Sequence, residues 1–257
     1  MKNALIVAQK ETAALFVSSI AYVVLTGFLL IGGWFFFNLL FRFNALLTLY
    51  MNLQNLDAVQ NLNLNEYVVA PLLHNLTIIL IIFIPVITMR SFSEEKKTGT
   101  YELLLTAPLS VTEIVLGKFF GCLLFVLVML LLTAIYPAIL LFFGNPELGL
   151  VASGYLGLFL LSATFVAIGI FTSSLTENQI VAAVSCFVVL LLLHVLSWPA
   201  ETTGTTLGSL LKYLSVIDHF SEMVKGVVDT RDLVYFLSLI VLGLFLAHRS
   251  VESVRWR

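Results

Sequence analysis

Residues able to act as ligands, bases or nucleophiles are few in this chain, and their spacing is poor for chemistry. His74 and His194 lie within apolar runs and lack the spacing of a metal motif, and no His-Glu-x-x-His or Ser-His-Asp arrangement accompanies them. His74, beside Asn75, reads as a hydrogen-bonded histidine near the end of a membrane span. Cys122 and Cys186 also sit in apolar runs and read as small buried side chains, not as a disulfide or a metal pair. Gly117-Lys118 fails as a phosphate-binding loop, because Thr112 stands at the first glycine position and Phe119 at the final Ser/Thr position. Hydrolysis of ATP by this chain is therefore not expected, and neither is any other enzymatic reaction.

Two polar segments have spacing that carries information. The first, 90–118, reads RSFSEEKKTGTYELLLTAPLSVTEIVLGK. Ser91 to Glu94 has the form of a capping box, Lys96 and Lys97 suit a last helical turn, and Gly99 suits the stop. Thr100 then caps a short helix bearing Tyr101, Leu103, Leu104 and Leu105, which Pro108 ends, and Ser110 to Glu113 forms a second capping box opening a longer helix. The second segment, 201–232, predicts an amphipathic hairpin on the membrane surface. In it Asp218 caps a helix with Phe220, Met223, Val224 and Val227 on one face, Gly226 stops it, and Asp229 with Asp232 caps entry to the last span.

The elements that must hold these segments are membrane helices. At 60% hydrophobic and 11% charged, the chain departs from soluble composition, and its formal charge of -2 leaves no basic excess for nucleic acid. Five stretches without Asp, Glu, Lys or Arg (12–41, 67–89, 119–146, 148–176, 178–200) are long enough to cross a bilayer, and a shorter one, 233–247, is counted as a sixth. The fold class expected is an all-α membrane protein with spans near 17–41, 67–89, 119–143, 150–172, 179–198 and 233–249. The first run is too long for a signal core and has no cleavage site, and Trp34 to Phe37 near its end suggest an interfacial aromatic belt. Placing both termini in the cytoplasm assigns nine of the 13 Lys and Arg residues to that side, as the positive-inside rule requires. The turns near 144–149 and 173–179 are tight, so consecutive spans are antiparallel neighbours. The outer loop 42–66 carries six asparagines among leucines and reads as a solvated, partly helical segment without assigned chemistry. Small residues crowd the fourth span, including Gly154, Gly157, Ala163, Gly169 and Ser173, which permits close helix contact inside one bundle. No Asp or Glu lies within the spans, which disfavours ion-coupled transport.

The pattern Glu95, Gly99, Thr100, Glu102, Leu104, Leu105 and Pro108, with Glu94 just before it, resembles the coupling loop of ABC exporter permeases of the second export type. The loop sits between the second and third spans, where that family has it. The bland alternative is that the Tyr101 to Leu105 stretch only lies on the lipid interface. The outer text, including His219-Phe220, Gly226 to Asp229 and Arg231-Asp232 before Tyr235, is similar to the gliding-motility-associated permease subfamily. The resemblance covers nearly the whole chain. It implies a multi-pass subunit of the bacterial inner membrane and two copies of a cytoplasmic ABC ATPase, which carries the ATP and Mg while this chain holds no cofactor. It further implies a second copy of this permease or a related one, and an extracytoplasmic auxiliary subunit. In that reading the 90–118 loop receives the ATPase, and His219, Phe220, Gly226, Asp229 and Arg231 form an outer gate or the docking face of the auxiliary subunit. The alternative function is a force-transmitting or scaffold subunit that acts on an extracytoplasmic partner without moving a substrate.

Overall fold

The computed structural model describes residues 2–54, 56–102, 108–144, 146–197 and 206–255, and among these it contains helices and connecting turns but no strand. Helix α1 (Lys2–Val17) and helix α2 (Ser19–Asn52) are separated by one extended residue, Ser18, at φ −74° and ψ 132°. The continuous first apolar run therefore conceals a break, which its composition does not mark. After α3 (Leu56–Gln60) and a π-helical turn (Asn65–Val69), α4 (Ala70–Thr88) passes with only a kink at Met89 into α5 (Arg90–Thr98). Then come α6 (Val111–Thr133), α7 (Ile135–Phe143), α8 (Leu148–Leu175), α9 (Gln179–Val195), α10 (Thr206–Leu214), α11 (Val216–Val224) and α12 (Thr230–Arg255).

Among the described residues, five helical stretches are long and apolar enough to cross a membrane: Ser19–Asn52, Asn65–Thr98, Val111–Phe142, Leu148–Leu175 and Thr230–Ser253. The short candidate is thus α9, whose 17 residues span about 25 Å, whereas the last helix, expected to be short, runs to 26 residues. His248, Arg249 and Glu252 continue that helix past the apolar run, where Arg249 bonds Glu252 at 3.0 Å. At 34 residues, or about 51 Å, α2 exceeds a ~30 Å hydrocarbon core, so helix occupies much of the expected outer loop. The aromatic belt divides: Trp34 and Phe37 are exposed, while Phe36 is buried and stacks on Tyr136.

Helix α8 is the axis of the bundle. Its most apolar window is 78% buried, against 28% for α2 and for α12, and it packs against α4, α5, α6, α9, α11 and α12. Its small residues make this possible within one chain: a Cβ added to Gly157 would meet Met223 Cβ at 3.0 Å and Phe220 Cδ2 at 3.2 Å, and one added to Gly169 would strike Thr88. On the other flank α1 lies along α6, where a Cβ on Gly117 would stand 2.5 Å from Val7 Cβ.

Candidate coupling site and the helix at the opposite end

The site is built around the kink between α4 and α5. The expected capping box at Ser91 does not form: Ser91 and Ser93 are buried inside a continuing helix, with Met89 still helical at φ −56° and ψ −28°. Instead Ser173 of α8 inserts its hydroxyl into the kink. Its Oγ donates to Met89 O at 3.0 Å and accepts from Phe92 N at 3.0 Å and Ser93 N at 3.2 Å. Ser93 Oγ donates to Ser173 O at 3.1 Å, and Lys96 Nζ to Ser174 O at 2.6 Å. Backbone groups released by the kink thus find partners on the central helix, as buried backbone must. Ser173→Ala should cost about 1–3 kcal/mol, since it strands two buried N–H groups, and should loosen protection of the Phe92 and Ser93 amides in hydrogen exchange.

The end of α5 follows the sequence. Gly99 takes φ +73° as the left-handed stop, with its N–H donating to Lys96 O at 3.3 Å. Glu94, Gly99, Thr100 and Glu102 are exposed along α5 and just past its end, and Pro108, also exposed, lies shortly before α6. Leu104 and Leu105 lie outside the described residues. Tyr101 is not on an open apolar face: it is buried edge-on to Phe92 at 6.4 Å, with Lys96 Nζ 5.3 Å from its ring centre. Burial, with the nearby Glu95 carboxylate adding to it, pushes its phenol up to about 12. The second capping box is present, with Glu113 N donating to Ser110 Oγ at 3.2 Å and Ser110 N to Glu113 Oε2 at 3.1 Å.

Glu95 turns inward. Lys118, fully buried, donates to Glu95 Oε1 at 2.9 Å, Glu11 Oε2 at 3.3 Å and the Ser91 carbonyl, and lies 5.0 Å from the centre of the Phe92 ring. One ammonium thereby ties α1, α5 and α6 together. Reading the sequence missed this knot. A lysine seven residues into a helix that turns wholly apolar after it was the available signal, because a buried charge needs partners. Nothing in the sequence, however, pointed to Glu11.

At the opposite end of α8 lies α11. It begins after Ser215, not at Asp218, which falls in its first turn, and Gly226 follows its end at φ +90°. The expected membrane-surface hairpin is instead a helix packed into protein: His219, Phe220, Met223 and Val224 are buried against α8 and its neighbours. Their apolar periodicity was legible, but its target was another helix, not lipid. The Phe220 ring lies tilted against His74 with centroids 5.4 Å apart, and His74 Nε2 sits 3.1 Å from Ser221 Oγ, which links α4 to α11. His219 meets an acceptor at each ring nitrogen, Asp232 Oδ1 at 2.6 Å and Tyr213 O at 3.0 Å, and stacks on Tyr235 at 3.9 Å. Asp232 therefore holds α11 to α12, while Asp229, at the head of α12, accepts from Arg231 N at 3.2 Å. Arg231 is exposed over the Tyr213 ring at 4.9 Å. Beside it opens a mixed-charge cleft of about 510 Å3 with Lys212, Lys225, Asp218 and Glu222 among its walls.

Apolar crossing helices around one central helix, with a polar loop at one end and a packed helix at the other, define a multi-pass membrane protein. A family model described as "ABC-2 family transporter protein" matches residues 48–247, and the chain belongs to that family. It is a membrane permease subunit of an ABC transporter, a family whose members generally leave ATP hydrolysis to a separate ABC ATPase with which they associate. No curated protein matches the chain.

Proposed function

We propose that this chain is the permease of an ATP-driven export complex in the bacterial inner membrane, close to the gliding-motility-associated subfamily. It crosses the membrane six times with both termini cytoplasmic, pairs with a second copy or a related permease, and receives two ATPases that carry ATP and Mg; the chain itself holds no cofactor. One observation carries the reading. Helix α8 is bonded to α5 at Ser173 and Ser174 and packed on α11 at Gly157, so a single helix connects the exposed tip at Gly99 and Glu102 with the outer helix. From Gly157 to Ser173 this rod measures about 24 Å, and a movement imposed at the tip is delivered to Phe220 and its neighbours. Glu94, Gly99, Thr100, Glu102, Leu104, Leu105 and Pro108 form the ATPase-docking surface, and Glu95 positions it through Lys118. His219, Phe220, Gly226, Asp229 and Arg231 build the outer gate. The mixed-charge cleft beside Arg231 favours a second reading, in which the same movement acts on an extracytoplasmic auxiliary protein without carrying a substrate through.

Two measurements test this. Gly99→Val forces a β-branched residue into a left-handed stop, and Glu102→Lys inverts charge on the exposed tip. Both variants should insert and fold while stimulation of the ATPase falls by about tenfold, a loss on the order of 1.4 kcal/mol of coupling. Parental stimulation in both variants would return this segment to a lipid-interface role. For orientation, cysteines placed at Lys97 and Arg255 should resist an impermeant outside reagent while one at Lys225 reacts. Outside labelling at Lys97 would reverse the topology.

A further inference from the structure

Where α1 breaks from α2 at Ser18, a cleft of about 250 Å3 remains, closed by α4, α5 and α6. Its depth follows from its contacts. Arg90 comes just after the 19 residues of α4, about 28 Å of helix, and so stands at the edge of the hydrocarbon core. Arg90 Nη1 donates to Ser18 Oγ at 3.2 Å, which fixes the elbow at the same level. The cleft has a charged side, including Lys10, Arg90, Glu94 and Glu95, and an apolar side of Ile20, Val24 and Val86.

Two atoms of opposite character are buried there without a hydrogen-bond partner, Arg90 Nε and Glu95 Oε2. Lys118 cannot answer the carboxylate oxygen, because its three hydrogens already go to Glu11, Ser91 and Glu95 Oε1. Nor does Arg90 form an ion pair with any carboxylate among the described residues. A site that strands a donor and an acceptor together, at headgroup depth and against an apolar wall, calls for a ligand that offers an anion, a hydrogen-bonding cation and a hydrocarbon tail.

We propose that this cleft binds one glycerophospholipid bearing a primary amine. Its phosphate meets the Arg90 guanidinium, its ammonium meets Glu95, and an acyl chain lies along Ile20, Val24 and Val86. A guanidinium offers phosphate a fork of N–H donors. A primary ammonium offers Glu95 hydrogens that a quaternary choline headgroup lacks, and a glycerol headgroup brings no positive charge. The lipid then fills the joint between α1 and α5, the helix that ends in the proposed docking tip, independently of whether the chain exports a substrate.

The permease with its ATPase, delipidated and reconstituted in phosphatidylcholine nanodiscs, provides the test. Phosphatidylethanolamine, phosphatidylglycerol or inorganic phosphate is titrated in, bound lipid is counted by native mass spectrometry, and the unfolding temperature is read in parallel. One phosphatidylethanolamine per permease should be retained about tenfold more tightly than phosphatidylcholine or phosphatidylglycerol, with a rise in Tm. Glu95→Gln should abolish that preference, since only the amine distinguishes the three headgroups, whereas Arg90→Gln should weaken retention of all three alike. Equal retention of the three lipids overturns the proposal, and so does a preference that survives Glu95→Gln. Phosphatidylglycerol bound as tightly as phosphatidylethanolamine removes the amine and with it the site. Inorganic phosphate raising Tm as much as phosphatidylethanolamine assigns the cleft to a soluble anion instead. The lipid comparison on the parental protein requires no variant, so misfolding of Glu95→Gln or Arg90→Gln leaves the result decisive.

Discussion

Lys118→Met is expected to cost about 3–5 kcal/mol, the usual penalty for removing one partner from a buried charge cluster. The methionine matches the lysine stem in length but takes the ammonium away from the Phe92 ring and from its acceptors, so the loss is electrostatic. Glu11, Glu95 and the Ser91 carbonyl lose their common donor in a site that holds Lys118 almost completely away from solvent. Because that ammonium bonds both α1 and α5 to α6, both should loosen together, and thermal unfolding in nanodiscs should begin at this end of the bundle. Adding Glu11→Gln and Glu95→Gln to Lys118→Met removes the stranded negative charge and should restore a large part of the stability. A triple variant no more stable than Lys118→Met would show that the cluster is not the reason for the loss. ATPase stimulation should follow the same order, since Glu95 holds the helix that ends in Gly99.

Phe220→Ala should be the second large effect. The ring is fully buried between the Gly157 face of α8 and His74, and phenylalanine-to-alanine changes at such sites cost about 3–5 kcal/mol. Phe220→Asp should do more than this and release α11 from α8 outright, because a carboxylate there has no partner. Replacing exposed Asp229 and Arg231 by alanine separates anchoring from function: the lost helix cap is worth about 1 kcal/mol, so the fold should survive. If α11 gates an outer exit or holds an auxiliary protein, the complex nevertheless loses its activity in the double variant. Full activity with the fold intact would leave α11 a structural anchor only. The measurement is substrate-independent ATP turnover of the assembled complex alongside the yield of correctly inserted chain.

The tests differ in how far the sequence alone could have suggested them. Gly99 and the Ser110 to Glu113 capping box were legible because helix ends are local: one left-handed residue or one side chain three positions away decides them. The same logic failed at Ser91 to Glu94, where the right residue types stood in the right order, but the chain was already helical and Ser173, 80 residues away, offered the freed amides a better partner. The amphipathic pattern of α11 was likewise visible, yet periodicity states only that one face is apolar. Whether lipid or Gly157 and His74 cover that face depends on the approach of α8 and α4, which no local pattern encodes.

By itself the sequence determined that this is a helical membrane chain with a polar loop after its second apolar run, because length and lack of charge in each run are sums over neighbouring residues. It also marked the pattern from Glu94 to Pro108 proposed for coupling, whose residues lie within one short segment. Only the tertiary structure decided that Ser18 breaks the first run, that Glu95 faces Lys118 while Glu94 and Glu102 face outward, and that His219 joins Asp232. Each of these rests on partners far apart in the chain. In a bilayer, where apolar surface is satisfied by lipid and by protein alike, steric fit and buried polar pairing choose among helix arrangements that hydropathy leaves nearly equal.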